Sequence, residues 1–149
     1  MSVPLEKEEA DQLMQYCRTR GLKFTHIKNE TGRAVGSRSG KVKNWQAIWD
    51  KRDGVSKGFP DFAVITRNWR GQSSVVFIEL KRIAGSKVSP EQREWVAALA
   101  DAGIPAAVAY GALAAIRFIE QVEAGTWKRA PLDRMKPLVR DKKPNEEPF

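Results

Sequence analysis

Cysteine and histidine are nearly absent from this chain, each occurring once, as Cys17 and His26. A single cysteine excludes an intramolecular disulfide framework and a cysteine-based zinc site. Cys17 falls on an apolar stripe and reads as inert core. His26 reads as a strand residue in preference to a catalytic base, and without a second histidine Ser-His-Asp chemistry is unsupported. Long apolar runs are also missing. No stretch approaches the roughly 20 residues of a membrane span, and the first residues lack the apolar core of a signal peptide. The expectation is a cytoplasmic protein with no membrane partner. There is no internal repeat and no low-complexity tract. What remains is one domain's worth of chain: 149 residues, 42% hydrophobic and 30% charged. That length buries a core without staples, and that composition argues against disorder.

Acidic residues are scarce in one segment. Residues 18–57 hold 11 basic and 3 acidic side chains, while the other 15 basic and 15 acidic residues cancel, so the whole net charge of +8 sits in that segment. A concentrated basic zone points to a polyanion, with nucleic acid the first candidate, against the plainer reading of a solubilising surface. Within it Arg33, Arg38, Lys41 and Lys43 have the spacing of phosphate contacts on a loop. Trp45 and Trp49 stand one turn apart and either pack the segment or stack on bases.

The periodicity predicts a mixed α/β domain in the order α-β-(flap)-β-β-α-β-α. Ala10, Leu13, Met14 and Cys17 form the stripe of a helix over 5–20 that Gly21 stops. A short strand follows at 24–28, then a polar, Gly-rich basic flap over 29–58. Strands at 62–65 and 75–80 flank the turn Asn68-Trp69-Arg70-Gly71. Ser89-Pro90-Glu91-Gln92 is a helix start with N-cap, Pro at N1 and a capping-box Gln. That helix is expected to bury Trp95 and Leu99 and to end at Gly103. A strand at 106–109 and a helix at 112–124, turning Leu113, Ile116, Ile119 and Val122 inward, complete residues 1–125. Residues 126–149 form a polar tail interrupted by proline.

Asp61, Glu79 and Lys81 carry the chemistry. Glu79 and Lys81 stand two apart on a strand and share one face. If Ile65 pairs with Val75, Asp61 lies opposite Glu79, an unfavourable arrangement unless a cation joins the carboxylates. Hard oxygen ligands beside an ammonium are what a divalent metal site needs. The strand 75–80 is almost continuously apolar, as in a sheet buried on both faces, so charges at its end are costly and need a reason.

Pro60-Asp61, seventeen residues, then Glu79-Leu80-Lys81 resembles the PD-(D/E)xK nuclease signature. The wider pattern resembles the VRR-NUC branch of that superfamily, closest to small stand-alone members found in phages. It comprises Glu6 on the first helix, His26-Ile27-Lys28-Asn29-Glu30, Gly58-Phe59-Pro60-Asp61, Phe77-Ile78-Glu79-Leu80-Lys81-Arg82, Ser89-Pro90-Glu91-Gln92 with Trp95, and Gly103. The resemblance covers about residues 5–122. Lys28 departs from it, since the family commonly has Pro there, so the resemblance carries over less securely to roles for Asn29 and Glu30.

The resemblance implies a restriction-endonuclease-like core, a mixed sheet flanked by helices, that cleaves DNA phosphodiesters with Mg²⁺ or Mn²⁺ in a bacterial or phage-infected cell. Asp61 and Glu79 would ligate the metal, with the Leu80 carbonyl as a further ligand and Lys81 beside the nucleophilic water. Glu6 is the family's helix-borne acid by position, continuing the buried stripe one turn before Ala10, with Glu9 to the side and Glu8 pointing away. Its alternative is an acid favouring the helix dipole. Gln92 would lie close to the site, and its capping role is compatible with that. Small members of the family resemble Holliday junction resolvases, so branched DNA and a homodimer are expected; a twofold dimer matches a twofold junction. No base-reading motif is present, which suits selection by shape and phosphate contacts. The alternatives are a non-catalytic nucleic-acid-binding module, a sequence-specific restriction enzyme, and a flap or duplex nuclease without junction preference. The presence of Asp61, Glu79 and Lys81 argues against the first, and the short chain against the second.

Overall fold

The computed structural model describes residues 4–27, 54, 56–68 and 70–128. Their order is α1 (Glu6–Thr19), β1 (Lys23–His26), β2 (Phe62–Arg67), β3 (Ser73–Lys81), α2 (Pro90–Asp101), β4 (Ala106–Tyr110) and α3 (Ala112–Glu123). This is the predicted mixed α/β order. The basic flap, apart from its last few residues, and the proline-rich tail from 129 onward lie outside the described residues. So do Asn29, Glu30, Arg33, Arg38, Lys41, Lys43, Trp45 and Trp49. Among the described residues no helix is long and apolar enough to cross a membrane.

The four strands form one sheet in the order β1-β2-β3-β4. β1–β2 and β2–β3 are antiparallel, whereas β3–β4 is parallel, with α2 as the crossover. Ile65 pairs with Val75, the register assumed above for the hairpin. Asn68 makes the turn: its Oδ1 accepts the backbone N–H of Arg70 and of Gln72, at 3.0 and 2.9 Å. A side chain thus closes the turn by mimicking a backbone acceptor, as asparagine does readily.

β3 separates two apolar layers because its side chains alternate. Val76, Ile78 and Leu80 join Phe62, Val64, Leu13, Cys17, Phe118 and Ile119 under α1 and α3. Phe77 faces the other way, towards Val96, Ala106 and Val108 under α2. Each large apolar side chain removed from water here contributes roughly 1.5–3 kcal/mol.

Two helices sit differently from their predicted faces. In α2, Val96 and Ala100 are buried while Trp95 and Leu99 are only half-buried. Val96 packs on Ala106 and Val108 of β4, with Leu99 and Tyr110 at the margin. The indole instead meets Phe59 at the helix edge, centroids 4.9 Å apart. In α3, Ala112, Ala115, Phe118 and Ile119 turn inward, Ile116 and Val122 pack at the margin, and Leu113 is exposed.

Glu9 is the unexpected core residue. It is 3% exposed, and its Oε2 accepts the backbone N–H of Ala112 at 2.6 Å. The N-cap of α3 is Gly111, which has no side chain to cap with, so a carboxylate from α1 satisfies an N-terminal amide of α3 and favours its dipole. Leu5, at the N-cap of α1, has no side-chain acceptor either, but its N–H donates to Glu8 Oε2 at 2.8 Å. Glu9→Ala leaves the Ala112 N–H buried and unpaired, and should lower stability by about 1–3 kcal/mol. Glu9→Gln, which keeps an acceptor, should lose less. Denaturant unfolding of both variants checks this, and an Ala variant as stable as the parent would refute the capping role.

Candidate active site

The sheet topology gathers strand ends and helix starts at one end of the sheet. β1 finishes there, β2 begins there, β3 finishes with Glu79 and Lys81, and α1, α2 and α3 all point their N-termini towards it. The entry to β2 is fixed by Gly58, whose φ of +87° favours glycine and whose Cβ, were there one, would stand 2.7 Å from the Gln92 nitrogen. Only glycine lets the chain lie this close to the first turn of α2. Phe59 then packs edge-on against Phe77 and Trp95, Pro60 is buried, and Asp61 follows.

The β2–β3 ladder ends at Phe62 and Ile78. One step further, Asp61 uses its side chain: Oδ2 accepts the Leu80 N–H at 3.0 Å. The main chain at Asp61 is held from the other side, where its carbonyl accepts the Ile27 N–H at 2.6 Å. Leu80 thus presents an amide to Asp61 while its side chain lies in the core.

Glu79 is 2% exposed. Lys81 Nζ stands 3.0 Å from its Oε1, and Gln92 Nε2 donates to the same oxygen. Oε2 is buried with no hydrogen-bond partner. Burial pushes the Glu79 carboxyl up to about 7; the Asp61 charge adds to this and Lys81 opposes it. Asp61 is also raised, chiefly by burial, with the Leu80 amide and Lys81 acting against it. Both groups feel the negative charge of Glu6.

Glu6 therefore lies near the carboxylate pair, but it is exposed. The expectation that it continues the buried stripe is corrected: the buried acid of α1 is Glu9, which serves α3. Gln92 unites its two readings. Its Oε1 accepts the Ser89 N–H at 2.8 Å and its own N–H donates to Ser89 Oγ at 3.2 Å, closing the capping box, while its amide nitrogen reaches Glu79. His26 ends β1 with an exposed side chain, and a positive charge there would lower the Asp61 carboxyl. Asp61, Glu79, Lys81 and Gln92 are thus brought together, with Glu6 and His26 at the margin.

A partnerless carboxylate oxygen beside a second carboxylate fits a hard divalent cation, for which oxygen donors are preferred. Among the described residues no three His, Cys, Asp or Glu side chains form a ligand group. Two carboxylates with a backbone carbonyl would leave the other positions to water, as Mg²⁺ favours.

Comparison with known proteins agrees with this geometry. The family model of the VRR-NUC domain matches residues 5–113. A solved structure described as a VRR_NUC domain protein superposes with a TM-score of 0.60 at 25% identity, covering 81% of this chain and 89% of its own. No curated protein matches. The matched span takes in the whole sheet and every segment that meets at Glu79, and the chain belongs to the VRR-NUC domain family of nucleases, whose substrate is DNA.

Proposed function

We propose that this protein is a Mg²⁺- or Mn²⁺-dependent endonuclease selective for branched DNA, four-way junctions first, acting in the cytoplasm as a homodimer with one site per cut strand. The observation that carries the chemistry is the lone Oε2 of Glu79, buried and unpaired next to the negative charge of Asp61. A bound divalent cation would supply Lewis-acid polarisation of the phosphate and a nucleophilic water at neutral pH. Asp61 and Glu79 would hold it, with the Leu80 carbonyl and Glu6 as further donors.

The chain's own contribution is orientation. Lys81 and Gln92 both engage Oε1 of Glu79, which fixes the carboxylate plane and leaves Oε2 for the ligand. The Lys81 side chain is 12% exposed, enough to donate to a water or a phosphate oxygen from a site largely shielded from solvent. Leu80 fixes Asp61 in the same way, through its amide. The branched-DNA reading is supported by the charge of residues 18–57 and by the absence of a base-reading motif.

Asp61→Ala, Glu79→Ala and Lys81→Ala should each abolish cutting of a labelled four-way junction in Mg²⁺ or Mn²⁺ while binding in EDTA survives. Parental rates in these variants would remove the site assignment. Cuts confined to flaps or linear duplex would keep the chemistry without the junction, and no metal-dependent cutting of any DNA would leave a binding module.

The raised Glu79 carboxyl has a second expected effect. A folded state that holds this proton more tightly than the unfolded chain is stabilised below pH 4.5 and loses that stability as pH rises through about 7, by up to about 3 kcal/mol. Metal must displace the same proton, so its affinity should weaken as pH falls below about 7. Melting temperatures across pH 4–9, with EDTA and with Mn²⁺, should show both trends, and Glu79→Gln should flatten them; a parental profile in that variant would count against this titration.

Replacing Arg33, Arg38, Lys41 and Lys43 by alanine should weaken DNA binding and reduce the slope of log K against log salt, by about 0.9 for each duplex phosphate no longer neutralised. An unchanged slope would place the phosphate-binding residues elsewhere.

A further inference from the structure

The only histidine of the chain stands beside the candidate site and takes no part in holding Asp61 or Glu79 in place. His26 is the last residue of β1 and pairs across the ladder with Phe62. Its ring lies parallel to the Phe62 ring, 8° between planes and 4.4 Å between centroids. Phe62 is 1% exposed and part of the main core, so one face of the imidazole rests on an immobile support. His26 itself is exposed.

The stack also adjoins Asp61. Phe62 is next in the chain to Asp61, and Ile27, next to His26, donates its N–H to the Asp61 carbonyl. Asp61 also senses charge on the imidazole. An exposed ring backed by the core therefore stands near Asp61, on the β1 side and on the Phe62 face of the sheet, whereas Glu79 and Lys81 project from the opposite face of β3. Most surface histidines are free to rotate. A stacked one has already lost that freedom and spends little further entropy on a second ring.

We propose that the His26–Phe62 stack is a platform for an unpaired nucleobase of the substrate, adjoining the phosphate that a cation on Asp61 and Glu79 would engage. Aromatic side chains take splayed-out bases in this way without reading their sequence. Bases inside a duplex already stack on their neighbours, so a platform of this kind favours DNA with an unstacked nucleotide at a branch, flap or gap. The inference rests on the nuclease reading and narrows its substrate to DNA with a base out of the stack at the cut.

The test uses the full chain and a flap DNA carrying 2-aminopurine at the first unpaired nucleotide, titrated in EDTA, with cleavage followed separately in Mn²⁺. Binding by the parent should quench the 2-aminopurine fluorescence. His26→Ala should lose the quench and raise KM roughly tenfold, the factor expected for one base stack, with kcat little changed. His26→Phe should restore both, and His26→Lys should restore neither. Melting temperatures of the three variants separate misfolding from a missing base stack, and His26→Phe retains the Phe62 stack should His26→Ala fail to fold.

Unchanged quenching in folded His26→Ala overturns the platform, and so does rescue by Lys in place of Phe, which would mark a phosphate contact. If the parent cuts no DNA yet quenches through His26, the platform stands and the nuclease reading falls. If it cuts and the quench is indifferent to His26, only the platform falls.

Discussion

The structure turns on one carboxylate placed where carboxylates are expensive. Glu79 belongs to a strand covered on both faces, is almost fully enclosed, and has a single oxygen satisfied. Burying a charge without full pairing costs several kcal/mol in real proteins. The surrounding fold makes this tolerable. Three helices aim their N-termini at this end of the sheet, and the partial positive charge of such ends favours anions nearby. One of those ends serves Glu9 directly, one carries Gln92, and one carries Glu6. Closeness of the chain at Gly58 keeps the second of these ends in place.

The same need explains why polar contacts here are shared among distant segments. The Leu80 amide is lent to Asp61, and Lys81 and Gln92 converge on one oxygen. Asp61 stands at the entry to β2 and Gln92 in the first turn of α2, so this arrangement exists only where β2, β3 and α2 meet. No single element contains the site.

The order of elements, the hairpin register and the start of α2 were legible in the sequence, because each depends on neighbours a few residues apart. Ile65 and Val75 flank a short turn at matching distances, and Ser89-Pro90-Glu91-Gln92 is a local hydrogen-bonding device. Helix faces were harder. α2 and α3 are rich in alanine, whose burial depends on how closely the helix approaches and leaves little periodic signal. Periodicity alone therefore points to Trp95, Leu99 and Leu113 as core in place of Val96, Ala100 and Ala115. Asp61, Glu79 and Lys81 could be singled out because charges interrupt an apolar strand. Glu9 could not: its partner, Ala112, lies 103 residues away, and an acid among Glu6, Glu8 and Glu9 looks like any helix start. The place of His26 was hidden for a similar reason, since a stack on Phe62 exists only once β1 and β2 are paired.

Gln92 closes a capping box with one end of its amide and grips Glu79 with the other. Capping boxes elsewhere accept Glu and Gln interchangeably, but a carboxylate has no hydrogen to offer and would press a further negative charge on Glu79. Helix initiation alone leaves two letters open at this position, and the neighbouring strand reduces them to one. The orientation of the amide is settled by the same pair of contacts, oxygen towards Ser89 and nitrogen towards Glu79. A position that looks like ordinary helix grammar is therefore a reader of the strand beside it.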